Sequence, residues 1–128
     1  MMDGYVWLPV PPRVKQRPRM GRKGRVFTPQ QTVDYEKRLA DEWAVACGPP
    51  SEHPLVVDVL YGADGQWIRV QPDPDPDRVF PRGHGDIDNY IKATLDGLNG
   101  AAWLDDKQVQ MVTAAFMTKQ MPTGGKGS

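Results

Sequence analysis

Apolar residues along the chain fall into short runs typical of strands and longer stretches with helical spacing. Residues 5–10 are rich in aromatic and β-branched side chains and stop at a Pro-Pro pair, so they predict a first strand. A helix is predicted next, since Thr28 can cap it, Pro29 suits its first position and Gly48 ends it after about residue 46. Its apolar side would be formed by Val33, Leu39, Trp43 and Ala46, helped by Tyr35 and Ala40.

A second strand and a long connection follow this helix. Residues 53–62 are dense in Val and Leu and predict a strand, with Asp58 at a sheet edge or strand end. Residues 63–85 break the pattern and include three Pro-Asp steps, which favour extended, solvated chain. A loop of this length is usually functional or disordered in so small a protein. Within it, residues 66–70 could prolong the strand or form a hairpin arm.

The last third of the chain predicts a helix over residues 88–98, a turn at Asp105-Asp106 and a strand from about 109 to 119. Helical spacing places one apolar stripe of this second helix against the core, formed by Ile87, Ile91, Thr94, Leu95 and Leu98. The order β-α-β-α-β predicts a small mixed α/β (α+β) fold, in one domain over all 128 residues.

Composition narrows the class of protein. The single cysteine, Cys47, allows no internal disulfide and no thiolate zinc site. The first residues lack the apolar stretch of a signal peptide, and no apolar run approaches the roughly 20 residues that cross a bilayer. A soluble protein of the cytoplasm is expected, with a loose tail over residues 120–128.

The 16 basic and 16 acidic residues balance overall but are unevenly distributed. Residues 1–38 contain nine basic and three acidic side chains, whereas residues 39–128 contain seven basic and thirteen acidic ones. Glycine and proline predict a loop over residues 13–27, and this loop includes seven cations with no acid among them: Arg13, Lys15, Arg17, Arg19, Arg22, Lys23 and Arg25. Such a basic arm can neutralise several phosphates of a nucleic acid. The alternative is a solvated, partly disordered segment.

Acidic residues lie on both sides of the second helix. Asp86 and Asp88 stand at its entrance, where two carboxylates could bind one Mg²⁺. The alternative is ordinary capping, which Asp also favours at a helix N-terminus. Lys92 could simply pair with Asp88 at i,i+4, a contact worth roughly 0.3–0.5 kcal/mol. A second pair, Asp105-Asp106, follows the helix, and four carboxylates with a lysine exceed what capping requires.

The segment "GDIDNYIKATLDGLNGAAWLDDKQVQ", residues 85–110, resembles the motif of the RusA family of Holliday junction resolvases. That pattern is D-x-D-N-x-x-K, then D-x-L, then W-x-D-D-x-Q-V. Looser similarity extends over "LPVPP", "RPR" and "GRVFTPQQTVDYE". The resemblance implies that Asp86, Asp88 and Asp106 hold a catalytic Mg²⁺ or Mn²⁺ and that Lys92 is the essential basic residue beside them. Asp105 would be accessory.

The same resemblance implies a metal-dependent endonuclease that resolves four-way DNA junctions by paired phosphodiester hydrolysis, as a homodimer. No membrane association is expected, because no apolar run is long enough to cross a bilayer. The basic arm and Arg82 would contact DNA. The sequence departs from the family in two places. The family commonly continues after Lys119 into one more strand, so a sheet edge would be missing or supplied otherwise. The approach to Asp86 offers only Arg82 and His84, so junction affinity would be lower or differently placed.

Three alternatives stay open at the level of the sequence. A nuclease of the same fold could act on flaps or replication intermediates instead of true Holliday junctions. A DNA-binding module without catalysis would use the acids only as helix caps. A protein-interaction domain is favoured only by the loop of Pro-Asp steps.

Overall fold

A computed structural model of the chain describes residues 3–14, 19–20, 26–27, 29–121 and 124. The chain divides into two compact units, residues 1–74 and 75–128. The strands are β1 (Val6–Leu8), β2 (Arg19–Met20), β3 (Val26–Phe27), β4 (Leu55–Tyr61) and β5 (Gln66–Pro72), and the α-helices are α1 (Gln30–Cys47) and α2 (Ile87–Leu98). The predicted mixed class of helices and strands is confirmed.

The first unit is built on a three-stranded antiparallel sheet in the order β1-β5-β4. The central strand β5 lies within the segment 63–85 that was predicted as a loop. The hairpin arm that the sequence left open for residues 66–70 is formed, and the loop prediction is wrong for residues 71 and 72, to which the strand extends. The turn depends on Gly65, because a Cβ there would lie 2.5 Å from the Leu8 carbonyl oxygen and from the Trp7 ring. Asp58 lies on edge strand β4, as predicted, and accepts from Arg69 Nη2 at 2.9 Å. Hydrogen bonding to the Asp58 carboxylate raises the pKa of the Arg69 guanidinium.

Helix α1 begins after Pro29 and ends at Gly48, whose φ of +88° suits glycine and whose N–H donates to the Ala44 carbonyl at 3.0 Å. Both ends agree with the sequence to within two residues, although Thr28, the predicted cap, lies outside the described residues. The predicted apolar side is wrong for Val33, Ala40 and Ala46, which are exposed, whereas Tyr35, Leu39 and Trp43 are half-buried. Thr32 is the residue that α1 buries, while Val33 is 42 % exposed.

In the first unit, buried residues lie in and just after β1 and at the start of β5. Leu8 and Val10 are its buried apolar side chains among the described residues. Beside them, the buried Gln66 amide donates to the Val10 carbonyl at 3.1 Å and to the Tyr35 hydroxyl at 2.9 Å. A buried amide with satisfied donors fixes the position of α1 next to the sheet, since leaving it unpaired would cost about 1–3 kcal/mol.

The basic arm contains more regular structure than predicted. Strands β2 and β3 pair antiparallel, with Arg19 opposite Phe27 and Met20 opposite Val26, so the predicted loop over 13–27 includes a short antiparallel strand pair. Five of its cations lie outside the described residues: Lys15, Arg17, Arg22, Lys23 and Arg25.

The second unit contains α2, a short 3₁₀ helix (Asp106–Gln108) and a bridge between Arg78 and Thr118. The predicted strand over 109–119 is wrong, because Thr118 is the only one of these residues that forms a β-bridge and a ladder needs a partner strand. The stripe of α2 does not lie in a closed core, since Ile87 is 38 % exposed and Leu98 41 %. Four of its residues, Ile87, Ile91, Thr94 and Leu95, line an open cleft of about 400 Å³ whose other wall includes residues 112–116.

Candidate active site

The carboxylate of Asp86 stands at the entrance of α2 without serving as its cap. Asp86 occupies the N-cap position in an extended conformation, but its side chain makes no capping hydrogen bond. Only its backbone carbonyl is used, accepting from the Asn89 N–H at 3.1 Å. Asp88 follows in the first turn, where the helix dipole favours negative charge. Both side chains are exposed, so capping does not explain Asp86 and its oxygens are accessible to a ligand.

An aromatic cluster anchors the chain that leads into Asp86. Phe116 contacts the rings of Phe80, His84 and Tyr90, with centroids 5.2, 5.5 and 5.7 Å away. Phe80 and His84 stack at 4.1 Å. The Gly85 N–H donates to the Tyr90 hydroxyl at 3.0 Å, which links the residue before Asp86 to the second turn of α2. Sequence reasoning missed this cluster. The one local signal was the spacing of three rings at 80, 84 and 90.

Lys92 projects from α2 without the ion pair that its spacing allowed. No salt bridge joins Lys92 to Asp88 among the described residues, so the i,i+4 alternative is not formed. The same spacing does form a pair on α1, where Lys37 Nζ lies 2.8 Å from Asp41 Oδ2. The Lys92 ammonium is exposed and is not committed to a carboxylate of the described chain.

The two adjacent acids after α2 have different roles. Asp105 caps the 3₁₀ helix, with its carboxylate accepting from the Lys107 N–H at 2.8 Å. Gln108 completes a capping box, since its Oε1 accepts from the Leu104 and Asp105 N–H groups at 2.8 and 2.9 Å. Asp106 instead accepts from Trp103 Nε1 at 2.6 Å. The spacing of Asp105 and Gln108 is the sequence signal of a capping box.

The carboxylates fit a hard cation chemically but are not gathered around one point. Mg²⁺ prefers carboxylate and water oxygens, and Asp86, Asp88 and Asp106 supply such oxygens in one unit. Within the described ranges, however, no three His, Cys, Asp or Glu residues are grouped so that they could hold a metal ion. The structure thus displays Asp86 and Asp88 on one helix entrance and Asp106 on the turn after it. Their joint role as ligands stays a prediction.

Two predicted DNA contacts lie in described regions. Arg13 is exposed and donates from Nη2 to Gln31 Oε1 at 2.7 Å, which places the start of the basic arm beside the first turn of α1. Arg82 is exposed in the turn before Gly83, whose φ is +72°. The backbone of Arg19 lies in β2. In the described part of the chain, neither helix has the length and apolarity needed to cross a membrane.

Comparison with known proteins identifies a family. A family model described as endodeoxyribonuclease RusA matches residues 9–123, a span that includes the basic arm, both acidic pairs and Lys92. No match was found among the curated proteins or among the solved structures.

Proposed function

Because the chain belongs to the RusA family of endodeoxyribonucleases, we propose that it is a metal-dependent endonuclease that resolves Holliday junctions and related branched DNA. The observation on which this proposal rests is the family match over residues 9–123, which spans most of the chain and every residue of the acidic motif. The Asp86 side chain also supports the proposal, because its carboxylate makes no capping hydrogen bond to α2. An Asp whose only role was to cap the helix would make that bond.

The proposed ligands are Asp86, Asp88 and Asp106, and the proposed cation is Mg²⁺, for which Mn²⁺ substitutes. The bound cation supplies a Lewis acid that activates water and offsets charge at the scissile phosphate. Lys92 is proposed to stabilise the negative charge that develops on the phosphate, since its ammonium is exposed and makes no ion pair with Asp88. A compact ammonium suits a point charge on a phosphoryl oxygen.

The proposed DNA contacts are the basic arm and Arg82. Counterion release by such cations supplies affinity that does not depend on sequence, and it strengthens as the salt concentration falls. We further propose that two copies of the chain act together, because paired nicks on strands of like polarity require two active sites related by symmetry. The proposed place of action is the cytoplasm of a bacterial or phage-infected cell.

Cleavage of three labelled DNA substrates tests this function. A synthetic four-way junction, a flap and a plain duplex are each incubated with Mg²⁺ and, separately, with EDTA. We expect symmetric paired nicks in the junction with Mg²⁺, no nicks with EDTA and an intact duplex. Cleavage of the flap alone would favour the nuclease of the same fold that acts on replication intermediates. Failure to cut any of the three with Mg²⁺ or Mn²⁺ would contradict the proposal.

A further inference from the structure

In the turn after α2, the carboxylate of Asp106 accepts a hydrogen bond from an indole, whereas that of Asp105 accepts from a backbone N–H. Trp103 Nε1 donates to Asp106 Oδ1 at 2.6 Å, and both residues are half-buried. Building on the proposed function, we propose that Trp103 is a positioning residue for the metal site. It fixes the Asp106 carboxylate through one oxygen and leaves the other, Oδ2, to the cation.

The indole is fixed because the backbone that bears it is tied to the end of α2. The Trp103 carbonyl accepts from the Gly100 N–H at 2.7 Å, and Asn99 and Trp103 form a β-bridge. Gly100 makes this return possible with a φ of +85°, which other residues rarely adopt. The Ala101 and Ala102 N–H groups both donate to the Leu98 carbonyl, at 2.9 and 2.8 Å. The position of the Trp103 indole N–H is therefore fixed by hydrogen bonds to the end of α2.

The chemistry of the donor suits a metal ligand. An indole N–H is uncharged and donates only, so it orients a carboxylate without neutralising the charge that a cation needs. An arginine or lysine in its place would compete with the metal for that charge. Partners that orient ligating groups in this way commonly change metal affinity or activity by about 10–100-fold when they are removed.

The neighbouring Asp105 shows that the turn does not need Asp106 for its own stability. Asp105 and Gln108 satisfy the backbone N–H groups of the 3₁₀ helix through the capping box. Asp106 makes no contribution to that box and contacts Trp103 instead. Removing the indole N–H should therefore disturb the carboxylate and leave the backbone of the turn in place.

The test measures metal affinity directly in the full-length chain without DNA. The electron paramagnetic resonance signal of free Mn²⁺ is followed as protein is added. We expect Trp103→Phe to raise the Mn²⁺ dissociation constant about 10-fold. In single-turnover junction cleavage, the Mg²⁺ concentration for half-maximal rate should rise by a similar factor, with junction binding in Ca²⁺ unchanged. A role in packing alone would lower the melting temperature without moving the Mn²⁺ constant.

Gln108→Ala is the matched control. It removes the acceptor of two backbone N–H groups in the same turn and leaves the bond between Trp103 and Asp106 untouched. We expect a lower melting temperature with an unchanged Mn²⁺ constant. If Trp103→Phe melts too early to be measured, 3-benzothienylalanine at position 103 keeps the shape of the indole and lacks its N–H, so the same rise is expected.

The outcomes separate this inference from the proposed function. A Trp103→Phe protein that binds Mn²⁺ like the wild type, while Asp106→Asn binds it weakly, would overturn the positioning role and leave the nuclease assignment standing. Equal weakening by Trp103→Phe and Gln108→Ala would also overturn it, because turn stability would then be the cause. A wild type that binds no Mn²⁺ and cuts no junction would overturn the proposed function and this role with it.

Discussion

The Gly85 N–H donates to the Tyr90 hydroxyl oxygen at 3.0 Å, so the residue that precedes Asp86 is held by the helix that Asp86 begins. The Tyr90 ring in turn meets Phe116 edge-on, with centroids 5.7 Å apart. The chain before Asp86 is thus held from two directions, by a hydrogen bond to backbone and by packing of aromatic rings. The direction of approach to Asp86 therefore depends on Tyr90, inside the acidic motif, and on Phe116, outside it.

Replacing Tyr90 by Phe should remove the hydrogen bond and retain the ring. We expect a loss of about 0.5–1.5 kcal/mol in the free energy of unfolding, as for a typical hydrogen bond, measured by urea denaturation. Single-turnover junction cleavage should slow, because Gly85 and with it Asp86 become less well placed. Tyr61→Phe is the control, since that side chain is 71 % exposed in the first unit. Equal behaviour of the two variants would show that the Tyr90 hydroxyl is dispensable.

Loss of a proposed ligand should stop cleavage without releasing DNA. Asp86→Asn, Asp88→Asn and Asp106→Asn are expected to abolish junction cleavage and to keep junction affinity, because the proposed phosphate contacts lie elsewhere. Asp105→Asn should remain active, since an amide oxygen can still cap the 3₁₀ helix. Asp64→Asn, in the turn between β4 and β5, is the remote control. Wild-type rates in any of the first three would remove that residue from the ligand set.

Substitution of Lys92 tests whether this lysine is an ordinary surface residue or acts on the phosphate. Because Lys92 makes no ion pair with Asp88, Lys92→Ala should cost less than about 0.5 kcal/mol of stability. The cleavage rate should fall by about two orders of magnitude or more, which corresponds to roughly 3 kcal/mol of transition-state stabilisation. Lys92→Arg should not restore it, since a planar guanidinium cannot replace a compact ammonium.

The control for Lys92 is Lys37→Ala, which breaks a real i,i+4 pair with Asp41 on α1 and should leave the rate unchanged. Both variants are measured at enzyme concentrations far above the dissociation constant for the junction. An alanine variant of Lys92 that cuts as fast as the wild type would mean that the lysine has no part in the chemistry.

Neutralising the basic arm should weaken binding to every form of DNA. Changing Arg17, Arg19, Arg22 and Lys23 to Gln should reduce the slope of log K against log salt by about one unit for each phosphate that the arm no longer neutralises. Titration of junction and duplex with NaCl measures that slope. If the slope stays the same, the arm is solvated and does not bind phosphates.

Local signals determined how well the sequence predicted the structure. The start of α2 and the end of α1 were predicted closely, because the helical spacing of apolar residues begins at Ile87 and Gly48 ends α1 within one turn of the chain. The strand over 109–119 was not, since alternation of residues cannot say whether a partner strand is present. The pairing of the hairpin arm at 66–72 could not be predicted for the same reason.

In the candidate site, too, features set by local spacing could be predicted and contacts between distant residues could not. The acids and Lys92 were found from spacing, and their joint role as ligands remains a prediction. The cap formed by Asp105 follows from the distance to Gln108 along the chain. The contacts of Phe116 with residues 80, 84 and 90 join positions more than 25 residues apart in sequence, and no local pattern specifies them.

Gly65 has a consequence for how this chain can vary. A methyl group there would collide with the Trp7 ring and with the Leu8 carbonyl, and that carbonyl belongs to the backbone of β1 and cannot withdraw without disturbing the pairing with β5. Gly97 in α2 faces open space, and alanine there would favour the helix by about 0.5–1 kcal/mol. In a saturation library screened for folded protein, we expect codon 65 to admit glycine alone and codon 97 to accept alanine freely.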